Sequence, residues 1–226
     1  MKLLVKIISL IAILGFTSIG SSSNAFGDDG YQTNAQIKIK AKTLLGWDNN
    51  MFFEAERRDA WDTDSDHFYE HWEGIVGNVT PQEWFEYGVG YRYIHAGDKK
   101  HGTEHRPHVF VTPQTKLMGD RLKISARNKL EYRVRDFGND GFQYKIKPKV
   151  SYLIPATDEF NISPYVSDEI AYSMIKGDWH NNEVEAGLEF VVNSHYIITP
   201  FYKYISDIPS GDKKISMWGV NGGVSF

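Results

Sequence analysis

Between Arg121 and Arg135 the chain alternates between two kinds of side chain. One parity reads Arg121, Lys123, Ser125, Arg127, Lys129, Glu131, Arg133 and Arg135. The other reads Leu122, Ile124, Ala126, Asn128, Leu130, Tyr132 and Val134. Successive side chains of a strand point to opposite faces, so this segment makes one charged wall and one mostly apolar wall. Wound as a helix it would spread charge over every face and bury nothing. The same period of two predicts strands near 31–43, 51–61, 67–79, 84–95, 106–118, 121–135, 143–154, 161–174, 182–192, 195–205 and 215–226. Most of these run 11 to 15 residues. Ordinary strands average about 5–6 residues, whereas a tilted strand needs roughly 9–11 to cross a bilayer.

The connections point the same way. From Thr80 onward, short turns (80–83, 119–120, 156–159, 193–194) alternate with longer loops (96–105, 136–141, 175–181, 206–214). Short turns at one end and long loops at the other mark an up-and-down outer-membrane barrel. The expected fold is therefore all-β: a transmembrane antiparallel barrel of 10–12 strands, one domain over residues 26–226. Eleven strands are counted, but single-chain bacterial barrels have an even number, so ten or twelve is expected. Pro113, Pro148, Pro164 and Pro200 fall inside strands and each removes a ladder donor, which predicts bulges or breaks beside them. Arg57 and Asp168 fall on the lipid parity, which places them near an interface or beside a bulge.

The chain's start reads as an export signal. Lys2 and Lys6 precede an apolar run from Ile7 to Phe16, and small residues from Ser21 to Ala25 close it. Charge, a short apolar core and small residues form a secretory signal peptide, expected to be cleaved after Ala25. The run is too short to span a bilayer, which takes roughly 20 apolar residues. Removing Lys2 and Lys6 leaves 23 basic against 29 acidic residues, a net charge of −6. There is no cysteine, so neither a disulfide nor a lipid-modified cysteine is available. The 13 Tyr, 13 Phe and 6 Trp would supply the two aromatic girdles of a membrane barrel. At the other end Trp218, Val220, Gly222, Val224 and Phe226 share one face. A last amphipathic strand ending in Phe matches the assembly signal of an outer-membrane barrel. The expected partners are outer-membrane lipid and, during biogenesis, the barrel-assembly machinery; nothing points to nucleic acid.

Several segments resemble a bacterial family of small outer-membrane barrels known only as a domain of unknown function. The core of the likeness is Arg127-Asn128-Lys129-Leu130-Glu131-Tyr132-Arg133. Tyr87-Gly88-Val89-Gly90-Tyr91-Arg92-Tyr93, Glu104-His105-Arg106, Pro164-Tyr165 with Asp168-Glu169, and Asn182 to Phe190 add to it. Glu183 stands where the family usually has arginine. The resemblance implies a barrel and an outer-membrane location, and it implies no activity, catalytic residue or cofactor.

A barrel's chemistry lies in its lumen. The basic lumen wall is assigned to Arg92, Arg106, Lys116, Lys123, Arg127, Lys129, Arg133, Arg135, Lys145, Lys147 and Lys149, with Lys38, Lys40, Lys42 and Lys203 as further candidates. Lumen acids are Glu54, Glu56, Glu131, Glu169, Glu185 and Glu189, with Glu73 and Glu86. Two readings compete. A basic wall in a low-dielectric tube concentrates small anions, which makes a narrow anion-preferring pore for small or acidic solutes. Alternatively, bases pair with facing glutamates and fill the tube, leaving a closed structural or binding barrel; ten to twelve strands lie between the filled and the open sizes. Oligogalacturonate porins offer an architectural analogy for the pore, with no shared motif. A lipid-acting enzyme would need a nucleophile beside a base. Ser125, Ser151, Ser163, Ser167 and Ser173, with His67, His71 and Glu73, show no such spacing. His101, His105 and His108 with Glu104 fit no compact metal motif, so neither metal nor cofactor is expected. A soluble exported barrel would turn these two faces inside out.

Overall fold

The computed structural model describes residues 29–45, 50–61, 68–80, 83–96, 102–136, 138–206 and 214–226. The expected signal peptide, His67 and His101 lie outside the described residues. Twelve strands follow one another: β1 (Asp29–Lys40), β2 (Met51–Trp61), β3 (Phe68–Val79), β4 (Phe85–Ala96), β5 (Thr103–Leu117), β6 (Leu122–Arg135), β7 (Gly141–Tyr152), β8 (Ile154–Pro155), β9 (Phe160–Ser173), β10 (Asp178–Val192), β11 (Tyr196–Ser206) and β12 (Lys214–Ser225). Strand β8 is a two-residue outrider on β9. The other eleven form a closed ring in which all neighbours but one pair are antiparallel. Where the sequence predicted strand through residue 43, the chain turns into a short helix, α1 (Ala41–Leu45).

Eleven is odd, so the first and last strands run the same way and the ring closes through a parallel pair. Asp29 lies opposite Ser216 and the register holds to Lys38 opposite Ser225. The expectation of ten or twelve strands is corrected here: an odd ring needs one parallel seam and no extra strand. The last residue continues the seam, with Phe226 N donating to Lys38 O at 3.0 Å and Lys40 N donating to Phe226 O at 2.8 Å.

Hairpin turns hold the register at one end. Asn193 and Ser194 both have positive φ (51° and 57°), and His195 N donates to Val192 O at 3.1 Å. The ladder pairs Val192 with Tyr196, so Asn193, Ser194 and His195 make the turn, the first two in the left-handed region. Beside the prolines the ladder breaks, as expected, while the register stays unshifted, so these are breaks and not bulges. The β5–β6 pairing skips residues 112–113 and the β7–β9 pairing skips 147–148. Among the described strand pairings, the one register shift lies elsewhere, between Trp179 and Asn181 in the β9–β10 pairing.

The faces divide as the alternation requires. Along β5, Glu104, Arg106, His108, Phe110 and Thr112 are buried, while Val109 and Val111 are exposed. The outward face carries an aliphatic belt that includes Val76, Val89, Val109, Val150, Val166, Leu188 and Ile198. Trp84, Tyr87, Tyr152 and Tyr196 border it towards the short-turn end, and Tyr91, Tyr132, Phe142, Trp179 and Trp218 towards the other. The polarity is thus inverted relative to a water-soluble protein. Arg57 stays on the outward face, paired with Asp59 at 3.1 Å and lying 4.9 Å from the Trp72 ring centre. Asp168 accepts from Asn182 Nδ2 at 2.6 Å.

Inside, four aromatic rings each lie over a glycine directly opposite on the next strand: Phe52 over Gly77, Phe110 over Gly88, Tyr165 over Gly187 and Phe201 over Gly219. A Cβ on Gly77 would come within 2.2 Å of Phe52, and one on Gly219 within 2.1 Å of Phe201, so only glycine admits the rings. A cation covers each ring as well: Lys38 at 3.6 Å from the Phe52 centre, Lys149 at 4.1 Å from Tyr165, Arg127 at 4.8 Å from Phe110 and Lys203 at 5.5 Å from Phe201. Cation–ring contacts strengthen when desolvated, so these rings fix where long basic side chains reach.

Candidate functional site

Period two sends the bases of β4 to β7 inward, and the barrel's width lets them meet carboxylates from neighbouring and facing strands. Glu131 of β6 is the centre, with none of its surface exposed. Lys129 Nζ lies 2.8 Å from its carboxylate, Arg106 3.6 Å, Lys145 3.7 Å and Arg92 3.8 Å. Glu73 takes Arg92 at 2.8 Å and His108 at 3.2 Å. Glu104 serves three arginines: Arg106 at 2.6 Å, Arg135 at 2.9 Å, and Arg133 through two hydrogen bonds. Glu169 holds Lys145 at 3.0 Å, and Glu185 holds Lys203 at 3.2 Å. Such a network costs desolvation to assemble, and removing one member strands the others.

Two cavities flank this plate. The lower one, about 360 Å³, lies towards the short-turn end; its walls carry eight Arg or Lys and six Glu. The upper one, about 420 Å³, lies towards the longer loops; its walls carry eight Arg or Lys and only two Glu, Glu169 and Glu183. Arg58, Arg92, Lys145, Lys147 and Glu169 border both. Glu131 sits between them, because Arg106 lines only the upper cavity and Lys129 only the lower.

The predicted basic wall is spread through this arrangement. Arg92, Lys145 and Lys147 border both cavities; Arg106 and Arg133 line the upper one; Lys123, Arg127, Lys129 and Lys149 line the lower one. Lys116 lies at the lower rim, 2.6 Å from Glu83, and Arg135 reaches Glu104 near the opposite rim. Lys40 and Lys42 are exposed, and α1 takes Lys42 off the predicted strand. Of the acids, Glu56, Glu185 and Glu189 line the lower cavity, Glu169 borders both, and Glu54 pairs with Lys38 at 3.8 Å. The acids interleave with the bases instead of forming a separate wall. Trp218 and Val220 point outward and are exposed, Val224 is buried, and Phe226 sits on the seam. The histidines separate: His108 is buried inside against Glu73, whereas His105 contacts Tyr91 and Tyr93 in an exposed cluster. No group of three metal-ligating side chains occurs among the described residues.

Sequence reasoning missed Arg58, Glu183 and His180, all on the upper cavity. Arg58 shares the parity of Glu54 and Glu56, which could have revealed it. His180 has no such signal, because it is the extra residue at the register shift: Trp179 pairs with Tyr172 and Asn181 with Ala171. A bulge lets two successive residues face one side, and both His180 and Asn181 line the cavity.

These features define a closed β-barrel with an apolar exterior and a charged, two-chambered interior. The chain belongs to the family described as "Protein of unknown function (DUF2490)", whose model matches residues 30–212. No curated protein matches the sequence.

Proposed function

We propose that the protein is an exported β-barrel of the bacterial outer membrane that forms a narrow, anion-preferring passage for small or acidic solutes. One observation carries the passage: the two cavities share five wall residues, of which four (Arg58, Arg92, Lys145 and Lys147) are cations. A solute crossing from one chamber to the other meets positive charge on low-dielectric walls, which concentrates anions and repels cations. The outer-membrane reading is supported by the aliphatic belt between two aromatic borders, the arrangement that a bilayer and its two interfaces select. It agrees with the signal-like residues 1–25 and the amphipathic end at Phe226, and it makes lipid and the barrel-assembly machinery the partners.

A closed binding barrel is favoured by a different observation, the complete burial of Glu131 within four cations. Single-channel recording in planar bilayers separates the two. The passage gives small, stable openings whose reversal potential under a salt gradient shows anion preference. Reversing Arg127, Lys129 and Arg133 to Glu should then remove or invert that preference. Inserted, folded protein that carries no current would establish the closed barrel instead.

A further inference from the structure

The upper chamber holds donors that its own walls leave unsatisfied. Arg133 Nη1 donates to Gln143 Oε1 at 3.3 Å, which fixes the orientation of that amide. Gln143 Nε2 then faces His180 Nε2 at 2.8 Å. An amide NH₂ can only donate, so His180 Nε2 is the acceptor, and the neutral ring carries its proton on Nδ1. His180 Nδ1 is buried and has no hydrogen-bond partner among the described residues. Arg106 Nε, from β5 of the same chamber, is in the same position, in a residue only 9% exposed. A buried donor without an acceptor is costly, so two of them in residues lining one chamber point to something absent from the chain itself.

Charge points the same way. Glu104 is shared by Arg106, Arg133 and Arg135, and Lys147 finds its nearest carboxylate only at 4.0 Å. The bulge at His180 is the single register shift among the described strand pairings, and it turns that imidazole towards the chamber. Bulges serve to re-aim a side chain in this way. Guanidinium and imidazole N–H groups are directional and match the spread oxygens of carboxylate or phosphate better than a spherical halide. The volume, about 420 Å³, falls within the range of small-ligand pockets.

We infer that the upper chamber, between Arg106, Arg133, Gln143, Lys147 and His180, is a binding site for a small oxyanion, a carboxylate or phosphate group on a solute of about sugar size. The inference rests on the anion-passage reading and adds to it a defined site and a ligand chemistry. Oxygens of the bound group accept from His180 Nδ1 and Arg106 Nε, and Lys147 supplies the remaining counter-charge.

Calorimetric titration of the folded full chain in detergent micelles tests this, with inorganic phosphate and galacturonate as probes and sodium chloride at matched ionic strength as reference. Saturable binding of either probe beyond the chloride reference is expected, and the stronger of the two tells phosphate from carboxylate. His180→Ala and Lys147→Gln should each weaken it about tenfold, whereas Lys123→Gln, in the lower chamber only, should leave it unchanged. Circular dichroism confirms that each variant keeps its strands. The site is overturned if folded protein binds neither probe beyond chloride, or if Lys123→Gln weakens binding while His180→Ala and Lys147→Gln do not. Binding without current in the bilayer keeps the site and overturns the passage; current without binding does the reverse.

Discussion

The two chambers carry the same number of bases but differ in what answers them. Six glutamates face the eight bases of the lower chamber; two face the eight of the upper. The lower half also holds three of the four ring–glycine pairs, with Lys38, Arg127 and Lys149 laid over the aromatic faces. There most of the positive charge is built into the structure, paired with carboxylates or laid over rings of the chain itself. In the upper half the bases share their carboxylates, three arginines drawing on Glu104 alone, and His180 Nδ1 and Arg106 Nε remain without a hydrogen-bond partner among the described residues. A basic residue inside a barrel therefore says little about function until its counter-charge is counted.

Glu131, on the boundary, gives the largest expected effect. Glu131→Ala leaves Arg92, Arg106, Lys129 and Lys145 facing one another without their shared carboxylate. It should lower stability by about 3–5 kcal/mol in urea unfolding. Added phosphate should restore part of the loss, since the vacated cage accepts an anion; a variant as stable as the parent would break the account of the plate. Gly88→Ala probes the interlocked lower half and should cost about 1–3 kcal/mol, because the new methyl meets Phe110 and the Val76 carbonyl together. Unchanged stability would mean that the ring–glycine pairs do not organise the lower chamber.

The smallest effect belongs to the lower rim. Lys116 donates to Glu83 at 2.6 Å and holds its carboxyl below the ordinary value. A depressed folded pKa contributes stability that is present above the unfolded value, near 4.5, and is lost as pH falls through the folded one. The parent should therefore lose slightly more stability than Glu83→Gln between pH 6 and about pH 3, and equal losses would show the rim pair to be idle. Glu83 is exposed, so the difference is small.

Much of the wall was legible in the sequence, because alternation records which side of a strand each residue faces. The span 51–61 agrees residue for residue, and most others agree within about three residues, the usual uncertainty at strand ends. Closure was less legible. A parallel seam between β1 and β12 leaves no mark in either strand's own pattern, and the even-number rule pointed away from it. Within the site, the facing of Arg133 or Lys147 followed from parity, but their partners did not, since Glu104 and Glu185 come from other strands. His180 was illegible for a sharper reason: a bulge interrupts the periodicity from which facing is read.

The proposed passage requires an exterior that meets lipid and an interior that holds water and anions. The chain has no cysteine, so single cysteines can report on each side without background. The most direct measurement places Val89→Cys or Lys147→Cys in the protein reconstituted into lipid vesicles and compares their labelling. A charged, water-soluble thiol reagent should modify Lys147→Cys, while a fluorophore carried by Val89→Cys should be quenched from within the lipid tails. Rapid labelling of Val89→Cys by the aqueous reagent, with no quenching from lipid, would contradict the account and leave the barrel's apolar belt facing something other than a membrane.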